Sequence, residues 1–341
     1  MLKNLLTMLM VGALLSCTAT ARTKEVTVSN RKIKVDGKRY IIRGICYNPV
    51  PKGCRERSFE TLTEDLALMK EAGINTLRVY SPIDDRAVLD EIDAAGIKVI
   101  MGFGYDQQGY FDVKSGSFID YVNTYKDHPA VLMWELGNEY NYHPEWFGGD
   151  IKVWYEAMDH AAEMIHETDE SHPVSTAHGD VANLGDLPFS SCPNIDVWGI
   201  NAYRWDHPDN EGSNIFEQWS AVSKKPMYLS ETGADSYMTA ESHGYAQGEN
   251  QKAQADADGK ILTAIFDNQK ICSGVTLFSF TDGWWKARNS STQDTGGAAP
   301  GSSGVPYDAA ANEEYWGIVK LDRTKKAAFD VVKEIYNEIA K

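Results

Sequence analysis

Short apolar runs of strand length alternate with helical periodicity along most of this chain. Tyr40–Tyr47, Ile74–Tyr80, Ile97–Gly102, Val131–Leu136, Pro173–Thr176, Ile195–Ile200, Pro226–Ser230 and Gly274–Phe280 each read as a strand. Phe59–Ala72, Asp84–Ala95, Phe118–Tyr125, Ile151–Glu167, Phe216–Val222, Gln251–Gln269 and Ala327–Ala340 read as helices. In Ile151–Glu167, for example, Trp154, Met158, Ala161 and Ile165 fall on one face, as a period of about 3.6 residues requires. Gly73 and Gly96 stand where a helix ends and a strand begins, the place where a left-handed residue closes the last turn. Eight strands interleaved with helices in 341 residues predict a single (β/α)₈ barrel. A doubly wound open sheet is the alternative. It would carry a glycine-rich phosphate loop after its first strand, and Gly44-Ile-Cys-Tyr-Asn-Pro49 does not fit one. Ahead of the barrel, Glu25–Arg43 reads as a short hairpin: Val26, Val28, Ile33 and Val35 alternate with polar residues, and Asp36-Gly37 is a turn signal.

The first residues read as a targeting segment. Met1–Asn4 carries one positive charge, and Leu5–Leu15 is apolar but too short to span a bilayer. Leu14-Leu15-Ser16-Cys17 is similar to a bacterial lipoprotein signal. Residues 1–17 are thus expected to be a signal peptide with Cys17 lipidated, 18–24 a tether, and 25–341 the catalytic domain. An ordinary secretory signal cut near Ala19 or Ala21 is the alternative. Either way the chain is expected to be exported, to the outer membrane or periplasm, and to touch membrane only through the anchor. Four cysteines remain, at 46, 54, 192 and 272. Export permits disulfides; a Cys46–Cys54 bridge and buried free thiols both stay open. No cysteine or histidine spacing resembles a metal site, and no cofactor motif appears. The net charge of −16 argues against nucleic acid, since phosphate binding needs a basic surface.

Chemistry concentrates at two strand ends. The apolar run from Val131 stops at Gly137, and Asn138 and Glu139 follow it. The run from Lys225 ends in Glu231, with Thr232 and Gly233 behind it. Catalytic residues of such barrels sit at the C-terminal ends of the strands. Cleaving a glycosidic bond takes one carboxylic acid to protonate the leaving oxygen and a second carboxylate to attack or to activate water. The acid needs a raised pKa and the nucleophile must stay ionised. Glu139 and Glu231 are the candidate pair. The 17 Tyr and 9 Trp suit a cleft that stacks sugar rings, so an oligo- or polysaccharide is the expected partner.

Trp134-Glu-Leu-Gly-Asn-Glu139 resembles the motif ending strand four in the retaining β-glycosidases of glycoside hydrolase clan A. Leu229-Ser-Glu-Thr-Gly233 resembles the nucleophile motif on strand seven of the same clan. Within the clan, Gly73–Tyr80 and Gly137–Glu139 are similar to β-1,3-glucanosyltransferases, and Trp316–Arg323 to the barrel domain of glycoside hydrolase family 2. The resemblance covers residues 38–340 in clan order. It implies Glu139 as acid/base and Glu231 as nucleophile. Asn138 would bond the sugar 2-hydroxyl, Arg78 would hold Glu231 ionised, and Tyr203 would donate to Glu231, with Asn201 its neighbouring candidate. His178 either faces the cleft or is a satisfied core histidine. Trp284 or Trp285 would form the platform under the sugar.

Tyr47, Tyr80 and Tyr105 end the first three strands and are expected to line subsites on one side of the scissile bond. Tyr140, Tyr142 and Trp146 would line the other. The irregular stretch Arg288–Glu314 is either a surface insertion or a wall over the cleft. The expected function is an exported retaining β-glycoside hydrolase or transglycosylase on a neutral β-glucan, with a β-1,3 linkage the first candidate. A β-mannan- or β-galactoside-active enzyme, or a non-catalytic sugar-binding lipoprotein, is the alternative.

Overall fold

The computed structural model describes residues 25–107, 110–180, 187–204, 214–295, 298–300, 307–308 and 310–341. The expected signal segment, Cys17 and the tether lie outside the described residues. No helix among the described residues is long and apolar enough to cross a membrane.

Three short antiparallel strands come first: β1 (Val26–Ser29), β2 (Lys32–Val35) and β3 (Lys38–Tyr40). The expected single hairpin is therefore two. Its second turn is the anticipated Asp36-Gly37, at φ +50° and +74°. The first, Asn30-Arg31, takes φ +50° and +61°. Both have the paired positive φ of the tight turns that suit strand twist. Asn-Arg lacks the glycine that usually announces such a turn, which is why the sequence did not reveal it.

The barrel follows in chain order: β4 (Ile42–Cys46), α1 (Leu62–Glu71), β5 (Thr76–Val79), α2 (Arg86–Ala94), β6 (Lys98–Phe103), α3 (Phe118–Tyr125), β7 (Val131–Asn138) and α4 (Lys152–Thr168). It continues with β8 (Val174–Gly179), β9 (Val197–Asn201), α5 (Asn214–Val222) and β10 (Met227–Glu231). A two-stranded ribbon, β11 (Tyr237–Met238) and β12 (Gly248–Glu249), precedes α6 (Gln251–Asp267) and β13 (Cys272–Leu277). A second ribbon, β14 (Ala298–Pro300) and β15 (Ala310–Asn312), leads to α7 (Ala327–Ile339). The strands β4 to β10 and β13 pair in parallel, and β13 closes on β4 with Gly274 beside Ile42. This is the expected (β/α)₈ barrel.

Side-chain parity divides the barrel into layers. Outward residues such as Trp134, Met227 and Leu229 pack with Met158, Ile165 and Leu262 of the helices. Inward, Ile42, Ile100, Met133, Val197 and Tyr228 form an apolar floor, joined by Val26 and Ile33 of the small sheet. That sheet therefore seals the N-terminal mouth, and the Val26 amide donates to Ser171 O at 2.9 Å. Above the floor the interior turns polar, with buried Arg78, Glu135, Asn201 and Ser230. Cys46, Cys192 and Cys272 are buried free thiols and Cys54 is an exposed one. Cys46 points inward, its Sγ 3.4 Å from Ser230 O, so it does not bridge to the surface at Cys54.

Ile33 has no exposed surface. Ile33→Ala is expected to lower the unfolding free energy by about 2–4 kcal/mol, as a cavity at a sealed apolar site does. Urea denaturation reads this; a loss under about 0.5 kcal/mol, typical of a surface site, would mean the sheet is not packed on the floor.

Candidate active site

Both candidate glutamates are aimed by an interruption in their strand. On β7, the pairing with β8 slips between Leu136 and Asn138. Gly137 takes φ +72°, and a Cβ there would lie 2.4 Å from Trp154 Cζ2. Only glycine meets both demands. Glu139 then adopts φ +56°, a left-handed conformation uncommon for a side-chain-bearing residue. On β10, the register against β9 slips between Leu229 and Glu231. Extra residues at barrel rims re-aim side chains in this way. Asn138, Glu139 and Glu231 all line one cavity of about 480 Å³ at the C-terminal mouth.

Glu231 is held by three donors. Arg78 Nη1 reaches its Oε1 at 2.7 Å, the Tyr80 hydroxyl reaches the same oxygen at 2.8 Å, and the Tyr203 hydroxyl donates to Oε2 at 2.9 Å. Burial first, and neighbouring anionic groups second, push both phenols well above their ordinary range, so both remain donors. Arg78 also donates from Nε to Glu135 Oε1 at 2.6 Å and from Nη2 to Asn138 Oδ1 at 2.8 Å. Burial opposes its charge, but Glu135, Tyr80 and Glu231 together raise its pKa well above the usual value. Tyr228 donates to the other oxygen of Glu135.

Glu139 is placed differently. Burial raises its carboxyl pKa to about 7, and the charge of Glu231 adds to the rise. A hydrogen bond from Asn201 and the charge of Arg78 only partly offset this. Asn201 itself receives the Ser230 hydroxyl at 2.6 Å and donates to Asn138 Oδ1 at 3.1 Å. The Asn138 oxygen thus has two donors, from Arg78 and Asn201. That fixes the amide with its NH₂ available to a ligand in the cavity.

The structure brings together Arg78, Asn138, Glu139, Asn201, Tyr203 and Glu231. Trp285 lines the cavity as expected of a platform; Trp284 does not, and lies instead with Lys52 Nζ 5.1 Å from its ring centroid. Tyr47 is a correction. Strand β4 ends at Cys46, and the next side chain falls on the helix side, between Phe59 and Phe280, with its hydroxyl on Asp65 at 2.7 Å. Asn48 lines the cavity instead. His178 is a core histidine: Nε2 meets the Tyr155 hydroxyl at 3.1 Å and Nδ1 the Gly179 carbonyl at 2.5 Å. Burial lowers its pKa to about 4, so it is neutral and turned away from the cavity.

Sequence reasoning missed Phe278 and Trp316, which line the cavity and pack together at 5.5 Å. It also missed the bond from Tyr80 to Glu231. Of the stretch Arg288–Glu314, Ala311 and Glu313 line the cavity, with Trp316 just beyond it. Among the described residues no cluster of three or more His, Cys, Asp or Glu is placed to hold a metal.

A β-glucuronidase from Chlorocebus aethiops is 26% identical over 230 residues, 62% of this chain and 34% of its own. A β-galactosidase from Lactococcus lactis subsp. lactis is 23% identical over 229 residues, 62% of this chain and 21% of that one. The chain thus spans about a third or less of the length of these relatives. Among solved structures, a β-galacturonidase from Eisenbergiella tayi bound to galacturonate superposes with a TM-score of 0.67 at 22% identity. It covers 92% of this chain and 54% of its own. A β-glucuronidase from Faecalibacterium prausnitzii gives 0.69 at 17% identity, over 92% of this chain and 52% of its own. At those identities the superpositions speak for the fold alone. Residues 26–341 match the family described as Glycosyl hydrolases family 2, TIM barrel domain, and the chain belongs to that family.

Proposed function

We propose that this chain is a retaining β-glycoside hydrolase acting on a neutral β-linked hexose chain. One observation carries the reading: two glutamates share a cavity in opposite surroundings. Glu139 is poised to hold a proton near neutral pH, and Glu231 is clamped by three donors. Pairs of carboxyls whose environments differ in this way divide acid and nucleophile roles.

In the first step Glu139 donates its proton to the glycosidic oxygen as that oxygen leaves the anomeric carbon. A Glu231 oxygen attacks the same carbon from the other face and forms a glycosyl ester. In the second step the Glu139 carboxylate takes a proton from water, the water oxygen attacks the anomeric carbon, and the ester bond breaks. Glu231 is freed and Glu139 is again protonated. A sugar hydroxyl in place of water turns hydrolysis into transfer. Asn138 NH₂ is the donor offered to the sugar 2-hydroxyl, and Trp285, Phe278 and Trp316 supply aromatic surface.

Charge in the cavity supports a neutral sugar over a uronic acid. Its charged lining residues are Glu139, Glu231, Glu313 and Lys286, and Lys286 Nζ is already 3.1 Å from Glu313. The internal segments outside the described residues contain no lysine or arginine. A sugar carboxylate would meet surplus negative charge, and like-charge juxtaposition costs several kcal/mol. The likeness of Gly73–Tyr80 and Gly137–Glu139 to β-1,3-glucanosyltransferases makes a β-1,3-glucan the first polymer to try. That charge argument and the Lactococcus lactis relative favour a β-galactoside as the second reading.

Three outcomes are expected. Across aryl β-glucoside, β-galactoside, β-mannoside and β-glucuronide, with laminarin, lichenan and mannan alongside, the best neutral aryl glycoside should exceed the glucuronide in kcat/KM by more than about tenfold, or about 1.4 kcal/mol. A preferred glucuronide would overturn the charge argument. Glu231→Ala should lower kcat/KM by about 10⁴-fold or more, and added azide should restore turnover as a glycosyl azide of inverted configuration. No azide product with substrate binding intact would remove Glu231 as nucleophile.

The third concerns pH. Glu139 must be protonated to act as acid, so kcat/KM should fall on the alkaline side with a midpoint of about 7. Glu139→Gln should abolish that limb and slow substrates with poor leaving groups about 10²–10⁴-fold. It should spare dinitrophenyl glycosides, whose leaving group needs no proton. An unchanged alkaline limb in this variant would assign the titration to another group.

A further inference from the structure

A second cavity of about 630 Å³ abuts the first. Tyr80 and Asn138 line both, so the two meet beside the candidate catalytic carboxylates. The first spreads toward β10, β13 and the stretch after β13; the second opens over the ends of β5, β6 and β7. Each lies in the range of about 300–1,000 Å³ that holds a drug-sized ligand. One hexose ring is smaller than that, so a single sugar on a small aglycone leaves the second cavity unused.

Its lining says what fits. The charged residues are Arg78, Glu135, Asp106 and Lys114, two of each sign. Arg78 is bonded to Glu135 at 2.6 Å, and Lys114 to Asp106 at 2.7 Å. No charge is in surplus, which suits a neutral ligand. The aromatic residues divide in two. Phe103 and Phe147 are buried, Tyr105 and Tyr140 pack against Phe147, and Tyr80 is turned onto Glu231. Trp146 stands at the edge of that group and is 56% exposed.

Yet Trp146 is held. The His143 ring stacks on it at 4.0 Å between centroids and 6° between planes, and Tyr140 meets it edge-on at 5.5 Å. A large apolar ring fixed at a cavity rim and open to solvent is preorganised to take the apolar face of a pyranose at little entropic cost.

We propose that this second cavity binds a further sugar unit of the same β-linked chain, with Trp146 as its stacking platform. The substrate is then a neutral oligo- or polysaccharide that spans both cavities and crosses the Glu139–Glu231 pair. This rests on the glycosidase reading above for the placement of the scissile bond, but not for the binding itself.

The test is a chain-length series. Laminari-, cello- and manno-oligosaccharides of two to six units would be assayed against the wild type, Trp146→Ala and Trp146→Phe. In the active series, kcat/KM should rise at least about tenfold between the shortest and longest members. Trp146→Ala should cut the long-to-short ratio about tenfold, and Trp146→Phe, which keeps a ring, should cut it less. A flat profile, or a ratio that Trp146→Ala leaves intact, overturns the proposal while the glycosidase reading stands. If the wild type turns over nothing, titration of the same oligosaccharides followed by tryptophan emission separates the two ideas. Saturable quenching that Trp146→Ala abolishes keeps the cavity and removes the catalysis; no binding of any series removes the cavity.

Discussion

A guanidinium sits at the centre of this barrel with none of its surface exposed, and the architecture of the site follows from that. An unpaired buried ion costs several kcal/mol, so Arg78 has to be met on every side. Its Nε, Nη1 and Nη2 go to Glu135, Glu231 and Asn138 respectively. Two carboxylates against one cation leave negative charge over, and that charge needs donors of its own. Tyr228 serves Glu135, while Tyr80 and Tyr203 serve Glu231. Asn138 in turn is shared with Asn201, and Asn201 with Ser230. The polar layer is therefore one network from β5 round to β10. Buried polar networks are stabilising only when every member is satisfied. The apolar floor beneath, closed by the small N-terminal sheet, keeps water from reaching the network from below.

That network also explains why two glutamates of one cavity behave differently. Glu231 lies inside it and receives three of its donors. Glu139 lies at its edge, past a left-handed turn, and receives one side-chain bond from Asn201 while it feels the charge of Glu231. Burial without full compensation raises a carboxyl pKa. The difference in surroundings is thus a consequence of where each residue falls relative to Arg78. The same reasoning separates fold from substrate. The fold is shared with β-glucuronidases and a β-galacturonidase, but fold does not settle specificity. What bears on the proposed specificity is that Lys286, the one lysine among the described residues lining the cavity, is already matched by Glu313.

Most of the fold was legible because it depends on periodicity and punctuation. Apolar runs, amphipathic helices, Gly73 and Gly96 closing helices and Asp36-Gly37 turning the hairpin are local signals, and each appears where expected. The two glutamates and the residues directly around them were legible for a related reason: strand ends are easy to find, and short polar motifs stand out against apolar runs. What could not be read was the direction of a side chain once a strand stops. Alternation predicts direction only while the backbone stays regular. Tyr47 and Tyr80 both follow the last residue of a barrel strand, yet Tyr47 packs against the helices and Tyr80 turns onto Glu231. His178 lies within its strand and still closes on Tyr155 and its neighbouring carbonyl rather than on the cavity. Trp284 and Trp285 are adjacent, and one short helical turn sends only the second into the cleft. The slips at Leu136–Asn138 and Leu229–Glu231 act in the same way on β7 and β10. They break the alternation that makes direction predictable, and in doing so they bring Asn138, Glu139 and Glu231 to one cavity. Direction was therefore least legible where the chain departs from regular structure, and those departures are what assemble the site.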